Sequence, residues 1–383
     1  MNARSALAAV PRTTFSVVAQ TREETDAVLA FNERMRAANA PADFLLPDQP
    51  NNSHTLGTPP QAIDRTKFVV VDNDDEVHGG FLLMSQPGWL NGDIVEVANY
   101  SAPLSEGIVD SRYDMVDMHM LRYVQKHWPL TFAVGMGAMD RPLPRLLQAA
   151  GWQLRAVPFL FHVVRASRVL SELRVLRQGP ALRLAARAGA VTGVAAIGVA
   201  AVQHRAWTSV VGARGVRLER VDRWDDWADS LWERTRSLSI FSVVRDRATL
   251  ESLYPLDDPK YLAYAARKDG DIVGWAVALN TAMREHHHFG NLQVATVLDT
   301  VALPGAEVAL ASHVQRELAA AGADLVVTNQ THERWVDAFR RAGFLTGPTN
   351  YLFAMSKLLS QSIGDAVSRV HVTRGDGDGR IHL

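Results

Sequence analysis

Two segments almost half a chain apart carry one pattern, and that recurrence limits what this chain can fold into. Residues 130–164 read LTFAVGMGAMDRPLPRLLQAAGWQLRAVPFLFHVV, and residues 325–356 read LVVTNQTHERWVDAFRRAGFLTGPTNYLFAMS. Each is an apolar run, a polar turn, an amphipathic stretch closed by Ala-Gly-aromatic, and a second apolar run. The pairs Gly151-Trp152 and Gly343-Phe344 are followed at one offset by Leu160-Phe161 and Leu352-Phe353. A supersecondary unit recurring at that distance implies two related domains.

The 383 residues suffice for two or three domains with sizeable cores. A formal net charge of −1 offers no global field for nucleic acid, which is not expected as a partner. There is no cysteine, which rules out disulfides, zinc–thiolate sites, iron–sulfur clusters and a thiol nucleophile, and fits a reducing compartment. The apolar piece Ala6–Val10 is too short for a signal-peptide core, so residues 1–13 read as a loose tail.

Periodicity and turn chemistry give both copies one order: strand, helices, hairpin, strand, helix, strand, helix, strand. In residues 14–164 this runs from strand Phe15–Val18 and a helix opened by Thr21-Arg22-Glu23-Glu24, through hairpin strands Lys67–Val71 and Gly79–Ser85, to strand Asp93–Tyr100 and helix Val109–His127. Strand Leu130–Val134, helix Leu143–Ala150 and strand Phe159–Val164 complete the copy. In residues 216–357 the matching pieces include helices Trp224–Leu238 and Arg247–Leu253, a hairpin around Asp269-Gly270-Asp271, strand Leu292–Ala302, helix Glu307–Ala321 and strand Tyr351–Met355. The expected class is mixed α/β: two tandem domains, each a mixed twisted sheet flanked by helices.

Residues 165–215 belong to neither copy. Arg165, Arg168, Arg174, Arg177, Arg183 and Arg187 face only Glu172, and the uncharged run Ala188–Val202 follows. That run is short for a membrane span, and the plain reading is a helical linker packed between the domains. The sharper reading is an Arg-rich helix on an anionic membrane surface, giving peripheral contact through 165–202 at the inner face. Residues 358–383 read as a tail with a short hairpin, Val370–Thr373 and Arg380–Leu383. Its Asp-Gly alternation lacks the bidentate Glu of a calcium loop, and no metal is expected.

Three residues stand out as candidate catalytic groups. Glu96 lies in the middle of strand Asp93–Tyr100 and reads either as a solvated strand carboxylate or as a buried base with a raised pKa. Asp299 is the only charge between Leu292 and Ala306, costly unless paired or used, with a structural hydrogen bond as the alternative. Tyr113, in Asp110-Ser111-Arg112-Tyr113-Asp114, would reach an acceptor cleft or belong to a self-paired first helical turn. His286-His287-His288 reads as a solvated loop, because successive side chains of an extended chain alternate.

Each copy resembles the GNAT acyltransferase domain, and the pair resembles a tandem GNAT protein. The resemblance covers residues 15–164 and 216–357. It rests on element order, on the endings Gly151-Trp152 and Gly343-Phe344, and on Asn329, where the family often has Asn after the fifth strand. It implies acetyl-CoA or another acyl-CoA as co-substrate, held in a wedge between the fourth and fifth strands. The pyrophosphate would rest on backbone amides at the next helix N-terminus. By position that cradle is Ser105, Glu106, Gly107, Ile108 and Val109 in copy one, and Gly305 and Ala306 with Asn329 in copy two. The resemblance also implies a fourth-strand carboxylate as base, here Glu96 or Asp299. The loops depart from the family's basic, Gly-rich run: neither has an Arg, and each carries a Glu whose charge opposes a phosphate. Leu147 and Phe339 stand where the family often has Tyr.

These readings lead to a cytoplasmic N- or O-acyltransferase working by direct transfer to an amine or hydroxyl of a small metabolite or sugar. A bacterial surface-polysaccharide or envelope pathway is the expected setting. Copy one is the better catalytic candidate because its loop is full length. The contrasting expectation is a catalytically inactive GNAT-fold scaffold of an envelope-assembly complex.

Overall fold

A computed structural model describes residues 14–41, 44–49, 63–172 and 215–377. Most of the Arg-rich segment, the run Ala188–Val202 and the strand expected at Arg380–Leu383 lie outside the described residues. The chain divides into two compact units. One comprises the N-terminal segment, Asp64–Met84 and Tyr100–Pro129; the other includes Ser85–Asn99 and everything from Leu130 onward.

The first unit starts with β1 (Ser16–Ala19) and α1 (Thr25–Ala37), followed by β2 (Asp64–Val71). Strands β3 (Val77–Leu90) and β4 (Asp93–Ser105) contribute one part to each unit. Helix α1 forms because Val28, Phe31 and Met35 recur at helical spacing, and all three are fully buried. Buried Asn32 exchanges two hydrogen bonds with the Leu46 backbone, at 2.8 and 2.9 Å, and so pins a segment lacking regular structure. Helix α2 spans Val116–His127, seven residues later than Val109 would give. The reason is local: Ser105 and Asp110 each accept a backbone amide two residues on, and those turns divide the segment into two 3-10 pieces, Glu106–Ile108 and Ser111–Tyr113.

In the second unit the chain passes through β5 (Thr131–Gly135), α3 (Pro142–Ala149), β6 (Gln153–Ala156), β7 (Phe159–Val163) and α4 (Ala166–Glu172). It resumes with β8 (Val216–Val221), α5 (Asp226–Thr235), β9 (Phe241–Val243), α6 (Arg247–Leu253), β10 (Leu262–Lys268) and β11 (Asp271–Ala282). Then come β12 (Gln293–Ala302), α7 (Glu307–Ala320), β13 (Leu325–Asn329), α8 (Glu333–Arg341), β14 (Leu345–Gly347), β15 (Leu352–Met355), α9 (Lys357–Ile363) and β16 (Val370–His371). The β10–β11 turn has Asp269 and Gly270 both at positive φ, as an Asp-Gly hairpin requires.

The copies do not close their own sheets. The strand ending copy one, β7, lies antiparallel between β13 and β14, with Leu160 opposite Thr328 on one side and Thr346 on the other. The strand ending copy two, β15, lies between β5 and β6, with Phe353 opposite Val134 and Arg155. The sequence order places each last strand in its own copy; the structure exchanges them. The seven-stranded sheet therefore runs β14-β7-β13-β12-β11-β10-β8. Its core joins Val297, Leu310, Val314, Leu318, Trp335 and Phe339.

β16 pairs in parallel with β9, Val370 opposite Phe241, and the second strand of the hairpin expected in the tail lies outside the described residues. Among the described residues no helix is long and apolar enough to cross a membrane.

Candidate functional site

Strands β12 and β13 run parallel and pair only from Val294–Leu325 to Thr296–Val327. A register shift against β11 at Val277/Ala278 follows on β12, and the two strands have no further paired residues. The chain fills the space beyond with its own tail. His371 Nε2 donates to the Thr300 carbonyl on β12 at 3.0 Å. Opposite, Thr373 bridges Gln330, just past β13, and Thr331 Oγ1 donates to the carbonyls of Val370 and Val372 at 2.7 and 3.0 Å. Arg374 Nε donates to Asn329 Oδ1 at 2.7 Å. The tail thus supplies backbone and side-chain partners to both separating strands.

A buried charge cluster fastens this insert. Arg245 is 1% exposed and donates from Nε to Asp299 Oδ2 at 2.9 Å, from Nη1 to the Val243 carbonyl at 2.8 Å and from Nη2 to Asp376 Oδ2 at 2.8 Å. Tyr254 donates its hydroxyl to Asp299 at 3.1 Å, and the Thr300 amide reaches the same carboxylate at 2.9 Å. Burial alone would raise the Asp299 pKa, but the adjoining Arg245 charge holds it low. Burial raises Asp376 despite Arg245, with the Asp299 charge adding to the rise. Burial lowers His371, assisted by Arg245, so its imidazole is neutral near pH 7. Its Nδ1, Thr300 Oγ1 and Ser242 Oγ are buried without a protein partner, and their residues line a cavity of about 30 Å³, room enough for water.

Asp299 therefore serves as an ion-pair anchor rather than an available base. Glu96 is exposed on β4 and accepts a hydrogen bond from Ser85 Oγ, so the buried-base reading does not hold for it. Gly305 has positive φ in the turn before α7, and Ala306 is the N-cap of that helix. Glu307 behind them is paired with Arg334, which also donates to the Ala302 carbonyl at 2.9 Å. The histidine run forms a tight turn closed by His286 and Gly290.

In the first unit, the Ser105–Val109 loop is organised by Glu106. Its carboxylate is bidentate with Arg34, at 2.8 and 2.9 Å, and meets His78 Nδ1 at 2.8 Å. Burial would raise the Glu106 pKa, but Arg34 and His78 hold it at about 2. Its charge is thus already compensated. The Gly107 amide is taken by Ser105 Oγ at 3.1 Å, and those of Val109 and Asp110 by the Glu106 carbonyl. Tyr113 precedes α2 rather than opening it, and its ring stacks on His78 at 4.0 Å. Helix α2 itself has Met115 at its N-cap and no side-chain cap. Exposed Ile108, Val109 and Met115 flank that end.

No protein-family model matches the sequence, and no curated protein matches it. Solved structures do. N-myristoyltransferase of Saccharomyces cerevisiae, in crystal structures with bound myristoyl-CoA and inhibitors, aligns with TM-score 0.51 at 11% identity over 92% of this chain and 81% of its own. A GCN5-related N-acetyltransferase from Anabaena variabilis aligns with TM-score 0.51 at 12% identity, over 90% and 73%. The chain has a tandem GNAT fold. The two paired strands that part, β12 and β13, are the fourth and fifth strands of the second GNAT copy. That wedge does not fit an acyl-CoA, because residues 370–377 already hydrogen-bond to its edges. In the first copy the Glu is neutralised and the start of α2 is uncapped, while the same tail also reaches β4 and β5, where Asn99 Nδ2 donates to the Asp376 carbonyl at 2.7 Å and Gly377 packs on Val134.

Arg245, Asp376, His371, His78 and Arg34 escaped the sequence reading. Arg245 had little signal, since it opens the charged run Arg245-Asp246-Arg247 and reads as part of a solvated turn. Asp376 had none, since its Gly-rich surroundings look like an ordinary turn.

Proposed function

We propose that this protein is an acyl-CoA-dependent acyltransferase that takes its acyl-CoA, acetyl-CoA being the simplest case, in the first GNAT copy. The acyl group passes directly to an amine or hydroxyl of a small acceptor, and no covalent enzyme intermediate is needed. The GNAT fold supports the reaction class, and the compensated Glu106 with the uncapped start of α2 supports the choice of copy. In the first copy, the amides opening α2 and the helix dipole would hold the pyrophosphate. Arg34 and His78 would keep Glu106 from repelling it.

A binding role without catalysis is the second reading. The filled second wedge and the self-satisfied Ser105–Asp110 turns favour it. Calorimetry with acetyl-CoA on the full-length protein separates the two. Saturable binding of one molecule per chain is expected. Binding of two would mean that the tail yields, and no binding by folded protein would leave the second reading standing.

A further inference from the structure

Arg34, Arg245 and Arg334 are drawn out of solvent, wholly or in part, and each meets a carboxylate: Glu106, Asp299 and Glu307 in turn. Arg374, in the tail of the second unit, is half-buried and differs. Among the described residues no carboxylate lies within ion-pair distance of it. Burial pulls its pKa down, and the Tyr351 phenol is the one group acting the other way. The next acid along the tail, Asp376, turns instead to Arg245 at 2.8 Å.

The guanidinium is nevertheless held in one place. Its Nε donates to Asn329 Oδ1 at 2.7 Å. Asn329 is buried at the end of β13 and is itself fixed by its Nδ2, which donates to the Pro158 carbonyl at 3.2 Å. The Tyr351 ring covers one face of the guanidinium, with 5.3 Å between the central carbon and the ring centroid. The chain on either side is packed, since Thr373 and Gly375 are buried. One edge and one face are thus taken by neutral groups, which do not supply the missing negative charge. The edge formed by Nη1 and Nη2 has no protein partner among the described residues. A cation taken from water is costly unless compensated. A fork of N–H groups set in direction matches two oxygens of a carboxylate or phosphate.

We propose that Arg374 anchors a site for a small oxyanion, a carboxylate or phosphate group gripped by Nη1 and Nη2 beside the Tyr351 ring. The site stands within the second unit and does not depend on the acyltransferase reading.

Thermal melting of the full-length protein in rising phosphate or acetate tests this, with sodium chloride adjusted to hold ionic strength constant. Binding to the folded state should raise Tm along a saturating curve, and the anion that acts at lower concentration assigns the group. Arg374→Gln removes the charge and keeps an amide to donate to Asn329. It should melt no lower than the wild type in chloride, because no partner is stranded, and should lose the anion-dependent rise. Arg374→Lys keeps the charge without the fork and should need about threefold to tenfold more anion for the same rise. An equal rise in wild type and Arg374→Gln is a general exclusion effect and overturns the proposal. So does the lack of a rise in the wild type with either anion. Should Arg374→Gln fail to fold, phenylglyoxal labelling of Arg374 in the wild type, located by peptide mass mapping, decides. Slower labelling in phosphate or acetate than in chloride supports the site, and a rate indifferent to both anions overturns it.

Discussion

Arg245 donates from Nη2 to Asp376 Oδ2 at 2.8 Å, across 131 residues of chain, with both side chains buried. The bond ties the tail to the start of α6, and through Asp299 to the middle of β12. One guanidinium serves two carboxylates that water cannot reach. Removing it strands both, and breaking a buried pair from one side costs about 3–5 kcal/mol. Arg245→Met is therefore expected to lower the urea midpoint sharply. The triple variant Arg245→Met, Asp299→Asn, Asp376→Asn should recover most of the loss, because no uncompensated charge remains.

Gly375 is packed against the Tyr254 hydroxyl so closely that a Cβ there would overlap it. Gly375→Ala should destabilise the protein by about 1–3 kcal/mol, as overpacking of a tight interior does. Tyr254→Phe removes the obstructing oxygen at the expense of one hydrogen bond to Asp299. A thermal-melting double-mutant cycle should then show Gly375→Ala costing less in the Tyr254→Phe background. Independent, additive effects would mean the tail is not seated against Tyr254.

His78 has carboxylates on both ring nitrogens, Glu106 on Nδ1 at 2.8 Å and Asp72 on Nε2 at 3.1 Å. Only the imidazolium can donate to both. Burial alone would lower its pKa, but hydrogen bonds to Glu106 and Asp72 and their charges raise it above 6.5. Arg34 reaches the same Glu106 and Tyr113 stacks on the ring, with Phe15 and His119 nearby. With the folded pKa raised, the stabilisation is fully present below pH 6.5 and is lost as pH rises through the higher folded value. Denaturation midpoints measured from pH 6 to 9 should decline over that window, and His78→Gln should flatten the decline while leaving any fall due to other groups.

How much of this was legible in the sequence depends on the distance over which each feature is decided. The Asp269-Gly270 hairpin and the amphipathic faces of α1 and α8 follow from residues a few positions apart; the hairpin forms where turn chemistry puts it, while α1 starts at Thr25 with Glu24 at its N-cap, four residues after the expected opening at Thr21. The start of α2 was misread because Ser105 and Asp110 divert amides into turns, a competition that apolar periodicity does not register. Asp299 stood out as an isolated charge, but its partners come from positions 245 and 376, so only the fold could separate anchor from base. Glu96 looked comparable and differs because its side of β4 is open to solvent.

The strand exchange was beyond sequence reasoning for a related reason. Leu160-Phe161 and Leu352-Phe353 lie in equivalent apolar runs, and alternation specifies which face is buried but not which sheet is joined. Its consequence can be measured. A fragment of residues 1–164 would lack β15 and leave the facing edges of β5 and β6 unpaired; a fragment of residues 216–383 would lack β7 and leave those of β13 and β14 unpaired. Open edges in the middle of a sheet invite aggregation. Each fragment expressed alone should be insoluble or lack cooperative unfolding, and co-expression should yield a soluble complex that copurifies and melts cooperatively. Independent folding of both fragments would contradict the exchange.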